Sequence, residues 1–312
     1  GASGAEANNV GVGHNSLLSI TTGGENVALG GLSGQYNQTG SQNTYVGYAS
    51  GLGVSGNSHS TNTAVGYFTL KDVTTGGANT VIGAFAGDVV TTQDSLTLVG
   101  KNAGSAINND GANGTVAVGA SALTALTSGG SNTAIGFESQ LYQTDGANNT
   151  SLGYKALRNA DNGESLNTVI GTKACEFVNH ASSDGNTIVG TQAMVGGTGA
   201  RAYNVAMGYR AMGSGNTQNN IAGDENVFIG AYSGNGTWVT AASNGNTAVG
   251  YQSMQGALNG ATINTAVGKN ALLALTTGDY NTIVGGDSGK SINTGSHNAT
   301  LGADALADGT DA

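Results

Sequence analysis

The chain has 312 residues, of which 55 are Gly, none is Pro, one is Cys and 9% are charged, with a formal net charge of −10. Glycine without a three-residue period excludes collagen, and so little charge excludes a charged disordered tail. Nine Lys and Arg argue against a nucleic-acid partner, no apolar run approaches the roughly eighteen residues of a membrane helix, and a single Cys rules out internal disulfides.

From the N-terminus, a pentapeptide of the form Asn-Thr-Ala-Val-Gly recurs seventeen times. It ends on Gly13, Gly30, Gly47, Gly66, Gly83, Gly100, Gly119, Gly136, Gly153, Gly171, Gly190, Gly208, Gly230, Gly250, Gly268, Gly285 and Gly302. The spacing runs from 17 to 22 residues. A repeat covering residues 1–312 predicts a single all-β domain, a parallel β-solenoid of about seventeen coils. Each coil of such a solenoid buries its apolar face only against its neighbours.

Positions are counted from the repeat glycine. Minus one is Val, Ile, Leu or Met in all 17 coils. Minus four is Asn in 15 of 17, with Leu96 and Thr115 as exceptions. Minus three is Thr or Val except at Ala299, plus three is Ala, Ser or Thr, and plus four is Leu, Met or Gly except at Gln140 and Cys175. The β-branched residues suit a short strand in which minus three and minus one share a face and minus two takes the other. The glycine ends that strand where the chain bends or takes positive φ. The Asn is placed to bond a turn and the Asn of the next coil. Polar stretches such as 74–78 and 127–131 read as turns.

The expected core is the aliphatic at minus one together with plus four. Burying one such side chain stabilises by roughly 1.5–3 kcal/mol, whereas ordering the backbone costs roughly 1–2 kcal/mol per residue. A lone coil is therefore underfilled. The two strand faces resolve this if one packs inside the coil and the other packs against sister chains, so the expectation is a parallel homotrimer.

The Thr column at minus three (Thr44, Thr63, Thr80, Thr133, Thr168, Thr247 and Thr282) would bind ice on a flat exposed face, although the Val residues interrupting it suit packing better. Cys175 replaces Leu or Met at plus four and reads as a small buried hydrophobe. Met194, Met207, Met212 and Met254 all read as core. His14, His59, His180 and His297 share no ligand spacing, so no metal and no cofactor is expected.

The longest coils, Gly208 to Gly230 and Gly230 to Gly250, predict loops around 213–225 and 235–245. Loops on a rigid scaffold often carry recognition. Trp238, the sole Trp, is a candidate surface contact with Tyr232, Asp224 and Glu225, the alternative for Trp238 being a ring packed between chains. The run Gly285 to Ser291 resembles a phosphate loop but is one residue short, and its glycines fall at the repeat's own positions. No paired carboxylates recur at a plausible site, so catalysis is not expected and a glycan-cleaving fibre is only a minor alternative.

Coils such as Asn62-Thr63-Ala64-Val65-Gly66-Tyr67 and Asn264-Thr265-Ala266-Val267-Gly268, with Ala271-Leu272, resemble the shaft repeats of bacteriophage tail fibres and the head repeats of trimeric autotransporter adhesins. The resemblance implies a left-handed β-roll and a trimeric structural protein. Its place would be the virion as a tail-fibre shaft that helps host attachment, with a host surface receptor or glycan as partner. The alternative is a bacterial surface or extracellular adhesin head. Stacked at roughly 4.8 Å, sixteen steps would give a rod of about 77 Å.

Overall fold

The computed structural model describes residues 8–308 apart from 162, 178–179, 197–198, 214–222, 237 and 239–240. It is all-β and falls into two compact units, Gly1–Asn149 and Thr150–Ala312. Every strand has three residues, the minus-three to minus-one positions of one coil. The first unit carries β1 (Val10–Val12), β2 (Val27–Leu29), β3 (Thr44–Val46), β4 (Thr63–Val65), β5 (Thr80–Ile82), β6 (Thr97–Val99), β7 (Val116–Val118) and β8 (Thr133–Ile135). The second carries β9 (Thr150–Leu152), β10 (Thr168–Ile170), β11 (Thr187–Val189), β12 (Val205–Met207), β13 (Val227–Ile229), β14 (Thr247–Val249), β15 (Thr265–Val267), β16 (Thr282–Val284) and β17 (Ala299–Leu301).

Within each unit consecutive strands pair in parallel and in register, so equivalent positions stack: Thr63 on Thr80 on Thr97, and Thr247 on Thr265 on Thr282. The expected parallel β-solenoid is therefore the observed architecture.

The repeat glycine ends each strand at φ between +128° and +146°. A side chain there would also strike the coil above: a Cβ on Gly83 would lie 2.5 Å from the Gly100 carbonyl oxygen. Plus two and plus four then take left-handed conformations in every coil, as at Phe68 (φ 51°) and Leu70 (φ 50°). The two turns aim their N–H groups in opposite directions along the stack. Phe68 N–H donates to Tyr48 O of the preceding coil, and Leu70 N–H to Ala86 O of the following one, at 3.0 and 3.1 Å. A left-handed residue costs roughly 1–2 kcal/mol. At plus four, burial of Leu or Met outweighs that cost; at plus two, only the ladder bond offsets it.

The core differs from expectation in its parity. Minus two points inward and is buried at Ala28, Tyr45, Ala64, Leu98, Val169, Phe228 and Ile283. Minus one points outward, and Leu29 and Met207 are each 39% exposed. Met207 is thus not a core residue, whereas Met194, Met212 and Met254 are buried at plus four. The interior between minus two and plus four is narrow, so the two positions trade size. Ala64, Ala117 and Ala266 stand with Leu70, Leu123 and Leu272; Tyr45, Leu98 and Phe228 stand with Gly51, Gly104 and Gly234. A Cβ on Gly234 would lie 2.5 Å from the Phe228 ring.

Asn at minus four forms a buried ladder. Asn43 Oδ1 accepts the Asn62 backbone N–H at 2.9 Å, and Asn43 Nδ2 donates to His59 O at 2.9 Å. The same pattern runs through Asn186, Asn204, Asn226, Asn246 and Asn264. The ladder breaks at Leu96 and Thr115, where the Thr115 hydroxyl is buried without a hydrogen-bond partner. A second ladder runs at minus six. Asp94, Asn113, Asp224, Asn244 and Asp279 each accept a backbone N–H of the preceding coil.

Candidate recognition surface

Inward parity at minus two leaves an outward face built from minus three and minus one. No charged residue occupies either column in any coil. The face therefore presents hydroxyls and methyls of Thr, Val, Ile and Leu in registered rows, half-buried to exposed. At plus one, just past the glycine, six coils add an aromatic ring: Tyr48, Tyr67, Phe137, Tyr154, Tyr209 and Tyr251, all exposed. At minus five, on the other flank, the second unit carries Leu166, Tyr203, Ile263 and Tyr280, exposed despite φ of 55–61°. A β-branched residue such as Ile263 is a rare occupant of that conformation.

The four residues singled out from the sequence do not form one site. Trp238 is 1% exposed and lies inside its coil. Its Nε1–H donates to Gly234 O at 2.9 Å, and its ring meets Phe228 edge-on at 5.6 Å. This corrects the expectation of a surface contact: Trp238 fills the interior of its coil beside Phe228. Asp224 belongs to the minus-six ladder, accepting the Ala202 N–H at 2.8 Å. Glu225 is exposed at φ 59°. Tyr232 is half-buried between Tyr209 (5.3 Å) and Tyr251 (6.1 Å), its hydroxyl pushed up chiefly by desolvation. Residues 214–222, 237 and 239–240 of the two expected loops lie outside the described residues.

The remaining chemistry-bearing groups are absorbed by the repeat. Burial pushes the Cys175 thiol up to about 12, which removes its thiolate at neutral pH. In the glycine-rich run, buried Ser288 bonds Thr300 Oγ1 at 2.7 Å and Ala305 O at 2.9 Å, so its hydroxyl is engaged in coil stacking. His59 is buried and bonds the Tyr45 hydroxyl through Nδ1 at 2.7 Å. Among the described residues, no group of three or more His, Cys, Asp or Glu is placed to hold a metal ion.

The sequence reading missed the outward aromatic column, although the signal was present: an aromatic directly after the repeat glycine. What this arrangement does chemically is to offer a wide, neutral, registered surface of methyls, hydroxyls and rings. No family model, curated protein or solved structure matches the chain.

Proposed function

We propose that this chain is a structural and adhesive fibre protein of the tail-fibre shaft type, working on a virion as a parallel homotrimer. The observation that carries the reading is the uncharged outward face. In the second unit, nine three-residue strands, about 4.8 Å apart and about 10 Å long, give on the order of 400 Å² before the flanking plus-one and minus-five columns are added. A standard interface buries about 800 Å² per partner. Depletion of charge together with flanking aromatic rings is the composition of an interface core. The exposed left-handed Leu166, Tyr203, Ile263 and Tyr280 make the same point, since each combines backbone strain with unburied apolar area. Sister chains would cover both. Three chains would then present in triplicate the groups that this contact leaves uncovered, which raises avidity for a host surface.

The test is Val65→Glu with Ile82→Glu, two outward changes on adjacent coils. The expected result is a chain that keeps its β-signal by circular dichroism but drops from trimer to monomer mass. A double variant that stays trimeric would remove the face from the interface.

A second reading has its own observation. The Thr column at minus three lies outward, in register beside the aliphatic column, as an ice-binding face requires. Thermal hysteresis by the wild-type chain would favour this reading; its absence together with trimer mass would dismiss it.

A further inference from the structure

Four aromatic residues of the first unit, Tyr48, Tyr67, Phe68 and Phe85, form a cluster that neither the coil interior nor the repeat explains. They occupy plus one and plus two of three consecutive coils. Tyr48 and Tyr67 lie nearly parallel, 5.8 Å apart at 19°. Phe68 stands edge-on to both, at 5.6 and 4.3 Å. Phe85 closes the row at 5.4 Å from Tyr67. The two tyrosines are each 47% exposed and Phe85 36%. Phe68 and Phe85 hold φ of 51° and 58° in a column that elsewhere is mostly Asn, Ser, Gln, Glu, Lys or Asp. Large apolar rings have thus replaced residues better suited to the backbone, without gaining full burial.

The second unit shows what an aromatic at plus one does when it stays self-contained. In two of its three coils with such a ring the residue at plus two is a cation lying over it: Lys155 Nζ is 5.1 Å from the Tyr154 centroid, and Arg210 is 5.6 Å from that of Tyr209, while Gln252 follows Tyr251. Its Tyr209, Tyr232 and Tyr251 rings meet at 86° and 87°, presenting edges to one another. In the first unit Phe68 stands where those cations stand, and the Tyr48–Tyr67 pair stays near-parallel. Of the nearby cations, Lys71 is neutralised by Asp72 at 2.7 Å, and Lys101 stands at plus one of the next coil, beyond Phe85.

We infer that the Tyr48–Tyr67–Phe68–Phe85 cluster is a binding platform for a neutral glycan, stacking the C–H face of hexopyranose rings on the aromatics and bonding sugar hydroxyls through the tyrosine O–H groups. The chemistry follows from the cluster's parts. Tyr combines an apolar face with a polar tip, and the absence of charge matches a ligand without charge. A nucleic acid also stacks on rings, but it needs cations along its backbone, and plus one and plus two of these three coils supply none. The inference rests on the adhesive reading above and gives it a ligand class and a place.

The test uses the full chain and neutral oligosaccharides (hexamers of glucose, galactose and N-acetylglucosamine), with binding measured by calorimetry. Mass is recorded for every variant. Wild type is expected to bind at least one of the three sugars. Tyr67→Ala and Phe68→Asn, the latter a residue this column accepts elsewhere, are expected to weaken binding at least tenfold with unchanged mass. Tyr142→Ala, an exposed tyrosine outside the outward columns, should leave it within twofold. Wild-type binding to none of the sugars, or binding indifferent to Tyr67 and Phe68, overturns the platform. So does a loss of trimer mass in either variant, which would assign the rings to a chain–chain contact. A trimer that binds no sugar sinks the platform and leaves the fibre reading standing. A monomer that binds sugar through Tyr67 does the reverse.

Discussion

Tyr45 and Gly51 show how single residues set the coil. The Tyr45 ring fills the space that a Leu takes at plus four elsewhere, and a side chain on Gly51 would collide with it. Gly51→Leu should therefore destabilise the protein by roughly 1–3 kcal/mol through overpacking, and Tyr45→Ala by roughly 3–5 kcal/mol through an empty cavity. The two costs should not add: the double variant re-creates the Ala–Leu pairing of Ala64 with Leu70, and is expected to be more stable than Tyr45→Ala alone. Denaturant midpoints measure this, and additive losses would refute the size trade. The trade was written in the sequence as Ala with Leu and Tyr, Leu or Phe with Gly, but it becomes legible only once minus two is known to face inward.

The same tyrosine carries a pH prediction. Burial pushes His59 down from 6.5 to about 4, against a smaller raising effect of a backbone hydrogen bond. The unfolded chain thus holds the proton more tightly, so the contribution of His59 is present above about pH 6.5 and is lost as the pH falls toward 4. Between pH 7 and 4.5 the melting temperature of wild type should fall more than that of His59→Gln. Parallel pH profiles for the two proteins would argue against a buried neutral imidazole.

At the scale of the elements, the asparagine ladder ties coil to coil. Asn43 accepts the Asn62 N–H of the following coil, and Asn62 in turn donates to Gly76 O in the turn of the coil after it. Asn43→Ala orphans buried groups and should cost roughly 1–3 kcal/mol, whereas Lys101→Ala, on the surface, should stay within about 0.5 kcal/mol. The break at Thr115 can be repaired. Thr115→Asn removes a buried unpartnered hydroxyl and sets an acceptor beside the Asn132 N–H. The expected result is a higher denaturant midpoint, and a lower one would show that the local backbone cannot hold the ladder. The ladder was legible because Asn recurs at one position in 15 of 17 coils. The facing of the strand was not: three alternating residues reveal which positions share a face, but only the turn that follows decides which face is inside.

At the scale of the whole molecule, seventeen repeats dictate the solenoid, because a coil this thin is stable only when stacked. The candidate surface was less legible. Trp238 stood out as the sole Trp in a stretched coil, yet it packs inside, where Gly223 leaves it room: a side chain there would come to 2.6 Å from the indole. The outward aliphatics were mistaken for core because aliphatic residues usually are core. Their exposure is what calls for partner chains. The most direct test is the mass of the full chain in solution at micromolar concentration, by mass photometry or sedimentation. The account predicts a single species at three times the 30.5 kDa chain mass; a stable species at 30.5 kDa, well folded by circular dichroism, would contradict it.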